Sequence, residues 1–147
     1  MKKGKMTHFI AFTSLVIFTV LGISCTSTIV YNDDIPKEQC ATIIIPYEVG
    51  PGEYYTITEF SGQSVRWGTS QFRRYKILVP SGLHSIRFIY HGSNSDYIIE
   101  QNFNFLADHE YRLSMGGPGY AFSSGEIYGG IYDEKAGRLV RGNIRRR

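Results

Sequence analysis

Alternation of polar and apolar residues is the feature that most limits the folds open to this chain. In segment 97–105, Ile99, Phe103 and Phe105 fall on one face, while positions 100, 102 and 104 carry polar side chains. Side chains of a strand point to opposite faces in turn, so this pattern predicts a strand with one buried and one wet face. From residue 40 onward the sequence has no helical periodicity.

The same pattern predicts eight strands after residue 40, each bounded by glycine, proline or other turn residues. Such short strands, spaced about ten residues apart, predict an all-β domain: an antiparallel β-sandwich or a partly open barrel of about seven to eight strands. Eleven Tyr, nine Phe and one Trp supply a core that needs no disulfide or metal. The predicted strands are 41–45, 54–60, 64–67, 75–79, 84–90, 97–106, 110–115 and 126–132.

The N-terminus combines a basic start with an uncharged apolar run. Three lysines among the first five residues precede residues 9–23, and the small residue Ser24 stands directly before Cys25. The run is shorter than the roughly 20 residues that a membrane-spanning helix needs. These features are typical of a secretory signal peptide.

Segment 21–25, Leu-Gly-Ile-Ser-Cys, resembles the lipobox of bacterial lipoproteins. This resemblance implies that residues 1–24 are a signal peptide and that Cys25 becomes the acylated first residue of the mature chain. Acyl chains such as palmitate would then anchor the protein in a membrane of the bacterial cell envelope, on its periplasmic or outer-membrane face. Two alternatives stay open: a plain secretory peptide cleaved near Ser24 or Ser27, and an uncleaved anchor helix.

The predicted organisation has three parts after the signal peptide. Residues 25–39 form a lipidated tether, of which residues 29–31 alternatively dock as an edge strand. Residues 40–135 form the β-sandwich domain, and residues 136–147 form a basic C-terminal tail.

Charge argues against a nucleic-acid partner. Without the three lysines of residues 1–24, 13 of the 16 basic residues remain against 13 acidic ones. Five arginines in the last ten residues are a candidate contact for a polyanion such as anionic lipid, and the alternative is a solvated terminus. They are Arg138, Arg141, Arg145, Arg146 and Arg147.

Residues 75–90 contain Pro80, Gly82 and His84 between two apolar runs. They resemble the strand–Pro-x-Gly-x-His–strand hairpin of PEGA-type surface β-sandwich domains. The resemblance implies a sandwich fold and a structural or carbohydrate-facing role, and it implies no catalytic residues.

Three histidines raise the question of a metal or acid–base site. In a meander, His84 and His109 fall at one end, near Asp108 and Glu110, whereas His91 falls at the other end, about 30 Å away. A site of two histidines and one carboxylate is therefore conceivable at the first end. Because no metal-ligand spacing is present, we predict no metal; His84 then ends a hairpin and His109 is a solvated turn residue.

The remaining candidates have structural interpretations. Segment 91–96 holds Ser, His and Asp, but adjacent loop residues rarely align as a catalytic triad. Glycine-rich segments 115–120 and 125–130 precede no helix, so they predict loops around an edge strand rather than a phosphate site. Cys40 precedes an apolar run, which predicts a buried, inert thiol at a strand start.

The predicted function is a membrane-anchored, non-catalytic binding or structural module of the cell envelope, without a cofactor. Its partners are membrane lipid through Cys25 and an envelope protein or glycan. The alternative is an accessory subunit or small envelope enzyme that uses the His84/His109 end. A candidate exposed aromatic strip, which ordinary packing also explains, consists of Tyr120, Phe122, Tyr128 and Tyr132.

Overall fold

Two packed β-sheets make up this protein. A computed structural model describes residues 26–46, 52–68, 73–116 and 127–147. These residues form a β-sandwich that does not close into a barrel. The predicted all-β fold is therefore confirmed. Of the two predicted architectures, the sandwich and the partly open barrel, the structure has the sandwich.

The described residues contain eleven strands and one 3-10 turn, Lys37–Gln39. Eight of the strands coincide with the predicted ones to within about two residues at each end. The strands are β1 Thr26–Val30, β2 Cys40–Ile45, β3 Tyr54–Phe60, β4 Gln63–Trp67, β5 Arg74–Pro80, β6 Gly82–His91, β7 Asp96–Phe105, β8 Glu110–Gly116, β9 Tyr128–Asp133, β10 Arg138–Arg141 and β11 Asn143–Arg146.

The first sheet has the strand order β1-β5-β2-β8-β9-β10, and the second has the order β11-β7-β6-β3-β4. Most neighbours are antiparallel, as predicted, but β1 pairs with β5 and β2 pairs with β8 in parallel. Side-chain alternation is the same in both arrangements, so the pattern alone does not distinguish them. Strand β9 lies between β8 and β10, which corrects the prediction of an edge strand.

The core lies between the sheets and is aromatic and β-branched. Alternate residues of β7 and β8 enter it, as the alternation predicted: Phe105 and Tyr111 are almost fully buried. Cys40 is buried at the start of β2 with a free thiol, which confirms its predicted placement. The largest fully buried side chains are Tyr55, Tyr111, Phe60, Phe88, Phe105, Ile43, Ile45, Ile57, Ile77, Ile86, Ile99 and Leu113.

Strand directions give the sandwich two distinct ends. The proximal end is where β1 and β5 begin and β2, β6 and β8 finish. The distal end holds the turns at residues 31–39, 61–62, 106–109 and 134–137. The chain therefore enters the sandwich at its proximal end.

Both termini of the described chain belong to the sheets, which corrects the predicted tether and tail. Residues 26–30 form edge strand β1, consistent with the edge-strand alternative for this segment. Residues 138–146 form β10 on the first sheet and β11 on the second, rather than a frayed tail. Each of these two strands has four residues, and the polar residues beside Leu139 in β10 and Ile144 in β11 hide the alternation.

Gly142 carries the chain from β10 on the first sheet to β11 on the second. A Cβ atom at this position would lie 2.6 Å from Oε1 of Gln101 and 2.8 Å from Cγ2 of Ile99. Only a residue without a side chain therefore allows the chain to pass so close to β7. Ile144 then packs against the core beside the Ile99 backbone.

Deletion of residues 143–147 tests the correction at the C-terminus. We expect the free energy of unfolding to fall by about 2 kcal/mol, because Ile144 and the hydrogen bonds between β11 and β7 are lost. Urea unfolding measures the change. The double variant Arg146→Gln/Arg147→Gln, which keeps the strand, should stay within about 0.5 kcal/mol of the parent; an unchanged midpoint in the deletion would mean that the segment is a tail after all.

Candidate functional site

A groove lies on the outer face of the second sheet. It has a volume of about 510 Å³, in the range of small-molecule sites. Residues of three neighbouring strands line it, and among them Val65 packs its side chain against the core. The lining residues are Tyr54, Thr56 and Thr58 from β3, Ser64, Val65 and Arg66 from β4, and Ile89 and His91 from β6.

The groove lies where the pairing of β3 is irregular on both sides. Between Ile57 and Glu59 the register shifts against β4, and it shifts again at the same place against β6. Bulges bend a strand and re-aim its side chains, and they are frequent beside functional sites. Thr58 lies at this point, and its hydroxyl donates a hydrogen bond of 3.4 Å to the carbonyl oxygen of Arg87.

One end of the groove is formed by two stacked rings. Tyr54 and His91 face each other across β3 and β6, with ring centroids 4.3 Å apart and planes 19° from parallel. Nδ1 of His91 lies 3.2 Å from Oδ2 of Asp96 across the β6–β7 hairpin, which orients the imidazole. Two contacts therefore fix the position of the His91 ring: stacking with Tyr54 and the contact of Nδ1 with Asp96.

The groove is positively charged because Arg66 is its only lining residue with a full charge, and no carboxylate lines it. Arg66 is exposed, and in the part of the chain that the structure describes no acidic side chain lies within ion-pair distance of it. Two acidic residues of the same sheet are paired elsewhere, Glu59 with Arg87 and Asp96 with His91.

Beside the groove, a ladder of alternating charges crosses four strands. Arg87 lies 2.7 Å from Glu59 and 2.6 Å from Glu100, and Arg145 lies 3.1 Å from Glu100. The hydrogen bond from Arg87 lowers the pKa of Glu100 and raises the pKa of Arg87 itself, against a smaller opposing effect of burial. These charges satisfy one another, so the ladder is a structural feature of β3, β6, β7 and β11.

His84 and His109 do lie at the same end, the distal one, but two aromatic rings separate them. His84 is 6.2 Å from the ring of Phe105, Phe105 is 5.2 Å from Tyr111, and Tyr111 is 5.9 Å from His109. The two carboxylates expected beside these histidines have other surroundings: Glu110 pairs with Lys76, and Asp108 is exposed to solvent. Across the described residues, no three His, Cys, Asp or Glu side chains form a group that could hold a metal ion.

His84 is bound by the neighbouring turn. Its Nδ1 lies 2.6 Å from Oγ of Ser61, and its ring stacks on Phe60 at 4.9 Å. Ser61 and Gly62 both have positive φ values, 51° and 73°, as a two-residue β-hairpin turn requires. The backbone N–H groups of Ser61 and Gly62 both donate to Ser85, so these two donors are already engaged and do not form an oxyanion hole.

His109 pairs with a buried carboxylate that sequence reasoning did not single out. Its Nδ1 lies 3.1 Å from Oδ2 of Asp133, so the prediction of a solvated turn residue was wrong. Burial alone would raise the pKa of Asp133, but hydrogen bonds from the Ala136 N–H, His109 and the Lys135 N–H outweigh burial and lower that pKa. An aspartate that opens a turn is a local signal, whereas a partner 24 residues away is not readable from the sequence.

Two of the four residues of the predicted aromatic strip fall within the described residues. Tyr120 and Phe122 lie outside the described residues. Tyr128 and Tyr132 share the outer face of β9, and each is covered by an arginine: Arg141 lies 4.7 Å from the Tyr128 ring centroid and Arg112 lies 5.5 Å from that of Tyr132.

The five C-terminal arginines are distributed over two sheets instead of forming one tail. Arg138 and Arg141 belong to β10, whereas Arg145 and Arg146 belong to β11. Arg145 pairs with Glu100, and Arg147 lies 4.0 Å from Asp96. The five arginines therefore do not form one continuous basic segment, and two of them contact acidic residues of β7.

Cys25 lies outside the described residues, and Thr26, the next residue, is the first of β1. Within the described residues, the structure has no helix of the length and apolar character needed to cross a bilayer. Comparison of this chain with known protein families, with curated proteins and with solved structures finds no match. The resemblances to lipoproteins and to PEGA-type domains therefore stay predictions.

The groove residues themselves were missed by sequence reasoning. Tyr54, Arg66 and His91 belong to different strands, and no motif joins them. One local signal was available: Arg66 is a charged residue at an alternating position of a short strand between Val65 and Trp67. That signal predicts an exposed side chain but not its neighbours.

The buried pair at Asp133 predicts a pH-dependent stability. Asp133→Asn should lower the free energy of unfolding by about 1.5–3 kcal/mol at pH 7, because hydrogen bonds to a charged acceptor are lost. The native pKa lies below the unfolded one, so this stabilisation is complete above the unfolded pKa of about 4 and is lost as the pH falls through the native value.

Urea unfolding of parent and variant between pH 2 and pH 7 measures that difference. Asp108→Asn is the matched control, since Asp108 is an exposed aspartate of the neighbouring turn and asparagine tolerates its positive φ of 60°. We expect the control to change stability by less than about 0.5 kcal/mol. A difference between the parent and the Asp133→Asn variant that stays constant over the whole pH range would contradict the assignment.

Proposed function

We propose that this protein is a bacterial cell-envelope lipoprotein, anchored by an acylated Cys25, whose sandwich acts as a non-catalytic binding or structural module. The observation that carries the proposal is the position of β1. Thr26, one residue after Cys25, already belongs to the first sheet. An acyl anchor on Cys25 would therefore attach the sheet itself to the membrane, within about 4 Å of its first Cα atom.

The charge distribution suits this attachment. The distal turns 31–39, 61–62, 106–109 and 134–137 contain five acidic and two basic residues, so the rest of the mature chain has eleven basic and eight acidic residues. Anionic head groups would attract the basic part and repel the acidic distal end over about a Debye length. The domain would then stand with its proximal end toward the lipid and its distal end away from it.

A binding role is supported by the groove on the second sheet. Its rings, hydroxyls and exposed guanidinium are groups that recognise ligands. The histidines considered for catalysis instead have structural partners, Ser61 for His84 and Asp133 for His109. We therefore propose that the domain binds a ligand rather than catalyses a reaction.

Intact mass of the full-length protein after expression in a bacterium tests the anchor. We expect a mature chain that begins at Cys25 and carries a diacyl or triacyl adduct. Cys25→Ala should abolish the adduct and the processing, whereas Cys40→Ala should retain both because the Cys40 thiol is buried. An unmodified chain beginning near residue 25, or an unprocessed full-length chain, would refute lipid anchoring.

A further inference from the structure

We propose that the groove lined by Tyr54, Arg66 and His91 binds an acidic saccharide, whose carboxylate or phosphate contacts Arg66 while a sugar ring lies beside the Tyr54–His91 stack. This inference names the ligand class of the binding module proposed above and rests on that function. It stands on the composition, geometry and position of the groove.

Charge selects an anionic ligand. Arg66 places a guanidinium on a surface without a lining carboxylate. By contrast, Arg87, on the same face of the sheet, is bound by both Glu59 and Glu100. A guanidinium offers paired N–H donors in a plane, which match a carboxylate or phosphate group.

Hydroxyl groups select a ligand rich in hydrogen-bonding groups. The Thr56 hydroxyl donates to the carbonyl oxygen of Gly68 at 3.3 Å, and the Thr58 hydroxyl donates to that of Arg87. The Thr56 side chain is buried, so of these two oxygens it is that of Thr58, at the half-buried position, that offers a ligand an acceptor. The exposed Ser64 hydroxyl is free to rotate and adds a donor or acceptor between Thr58 and Arg66.

The remaining lining supplies flat and apolar contact. The stacked rings of Tyr54 and His91 form a rigid edge, and Ile89 contributes aliphatic surface. A pyranose ring has an apolar face of C–H groups and a rim of hydroxyls. The apolar part of the groove complements that face, and its polar groups complement the hydroxyls. Aromatic contact and hydrogen bonding can therefore act on the same ring.

The position of the groove disfavours an extended peptide. Peptides that add to a sheet pair with the unpaired backbone of an edge strand. Here the groove lies over β3, whose backbone already pairs with β4 and β6. A ligand lying over β3 is therefore recognised by side chains, whereas a peptide that paired with edge strand β4 would lie beside the groove.

The groove is also held in shape from behind. Trp67 of β4 packs 5.8 Å from Phe60 and 5.8 Å from Tyr31, ring centroid to ring centroid. These contacts fix the strand that carries Ser64 and Arg66. Little ordering is needed on binding, which favours affinity.

Calorimetric titration of the full-length protein in non-ionic detergent tests the proposal with three probes. Tetragalacturonic acid supplies rings and carboxylates, maltotetraose supplies neutral rings, and inorganic phosphate supplies an anion alone. We expect tetragalacturonic acid to bind with a millimolar or tighter Kd, and the other two to bind at least tenfold more weakly.

Variants assign the binding to the groove. Arg66→Gln should weaken tetragalacturonic acid binding at least about tenfold, since a charge-assisted contact is lost. Tyr54→Leu should weaken it severalfold through loss of the ring. Arg74→Gln, at an exposed arginine on the first sheet, is the matched control and should leave the Kd unchanged. Melting curves of all three variants confirm that each is folded.

Four results would overturn the proposal. Equal binding of maltotetraose would show that the anion is irrelevant, and equal binding of phosphate would show that the ring is irrelevant. No binding of tetragalacturonic acid, or equal losses in the Arg66 and Arg74 variants, would remove the groove as the site. None of these results affects the mass of the mature protein, so failure here is distinct from failure of the lipid anchor.

Discussion

Phe105 lies where the two sheets meet at the distal end, and the rest of the sandwich depends on its contacts. Its ring centroid is 5.9 Å from Phe60 of the second sheet and 5.2 Å from Tyr111 of the first. The Tyr111 hydroxyl accepts a hydrogen bond from the Leu106 N–H, which ties the connection between β7 and β8 to the same ring. Loss of these rings would remove the contact that sets the sheets against each other, because buried aromatic area dominates core energetics.

The aromatic packing extends from this contact to the groove. Phe60 also touches Tyr31, which follows β1, and Trp67, which belongs to the outer strand of the groove. Tyr31, directly after β1, and Trp67, of the strand that carries Arg66, thus pack on the same ring, that of Phe60. In this arrangement the domain would present the groove as part of a rigid body attached directly to the envelope, without an intervening tether.

How much the sequence predicted depended on the strength of each local pattern. Long alternating segments such as 97–105 and 110–115 predicted both strands and their buried faces, since burial of Phe105, Tyr111 and Leu113 requires that periodicity. Strands β10 and β11 were missed because each has four residues and places one apolar side chain toward its neighbours. Of the candidate site, the sequence predicted strands that carry Tyr54, Arg66 and His91 but not that the three would lie together.

The sequence by itself determined the fold class, the buried Cys40 and the balance of charge after residue 24, because each depends on local periodicity or on composition. Tertiary structure alone decided that β1 and β8 pair in parallel with distant strands, that Asp133 holds His109, and that aromatic rings separate His84 from His109. It also decided the groove, which exists because strands β3, β4 and β6 are neighbours whose register shifts at one point. Such pairings join residues far apart in the chain, and their energy comes from contacts that no local pattern records.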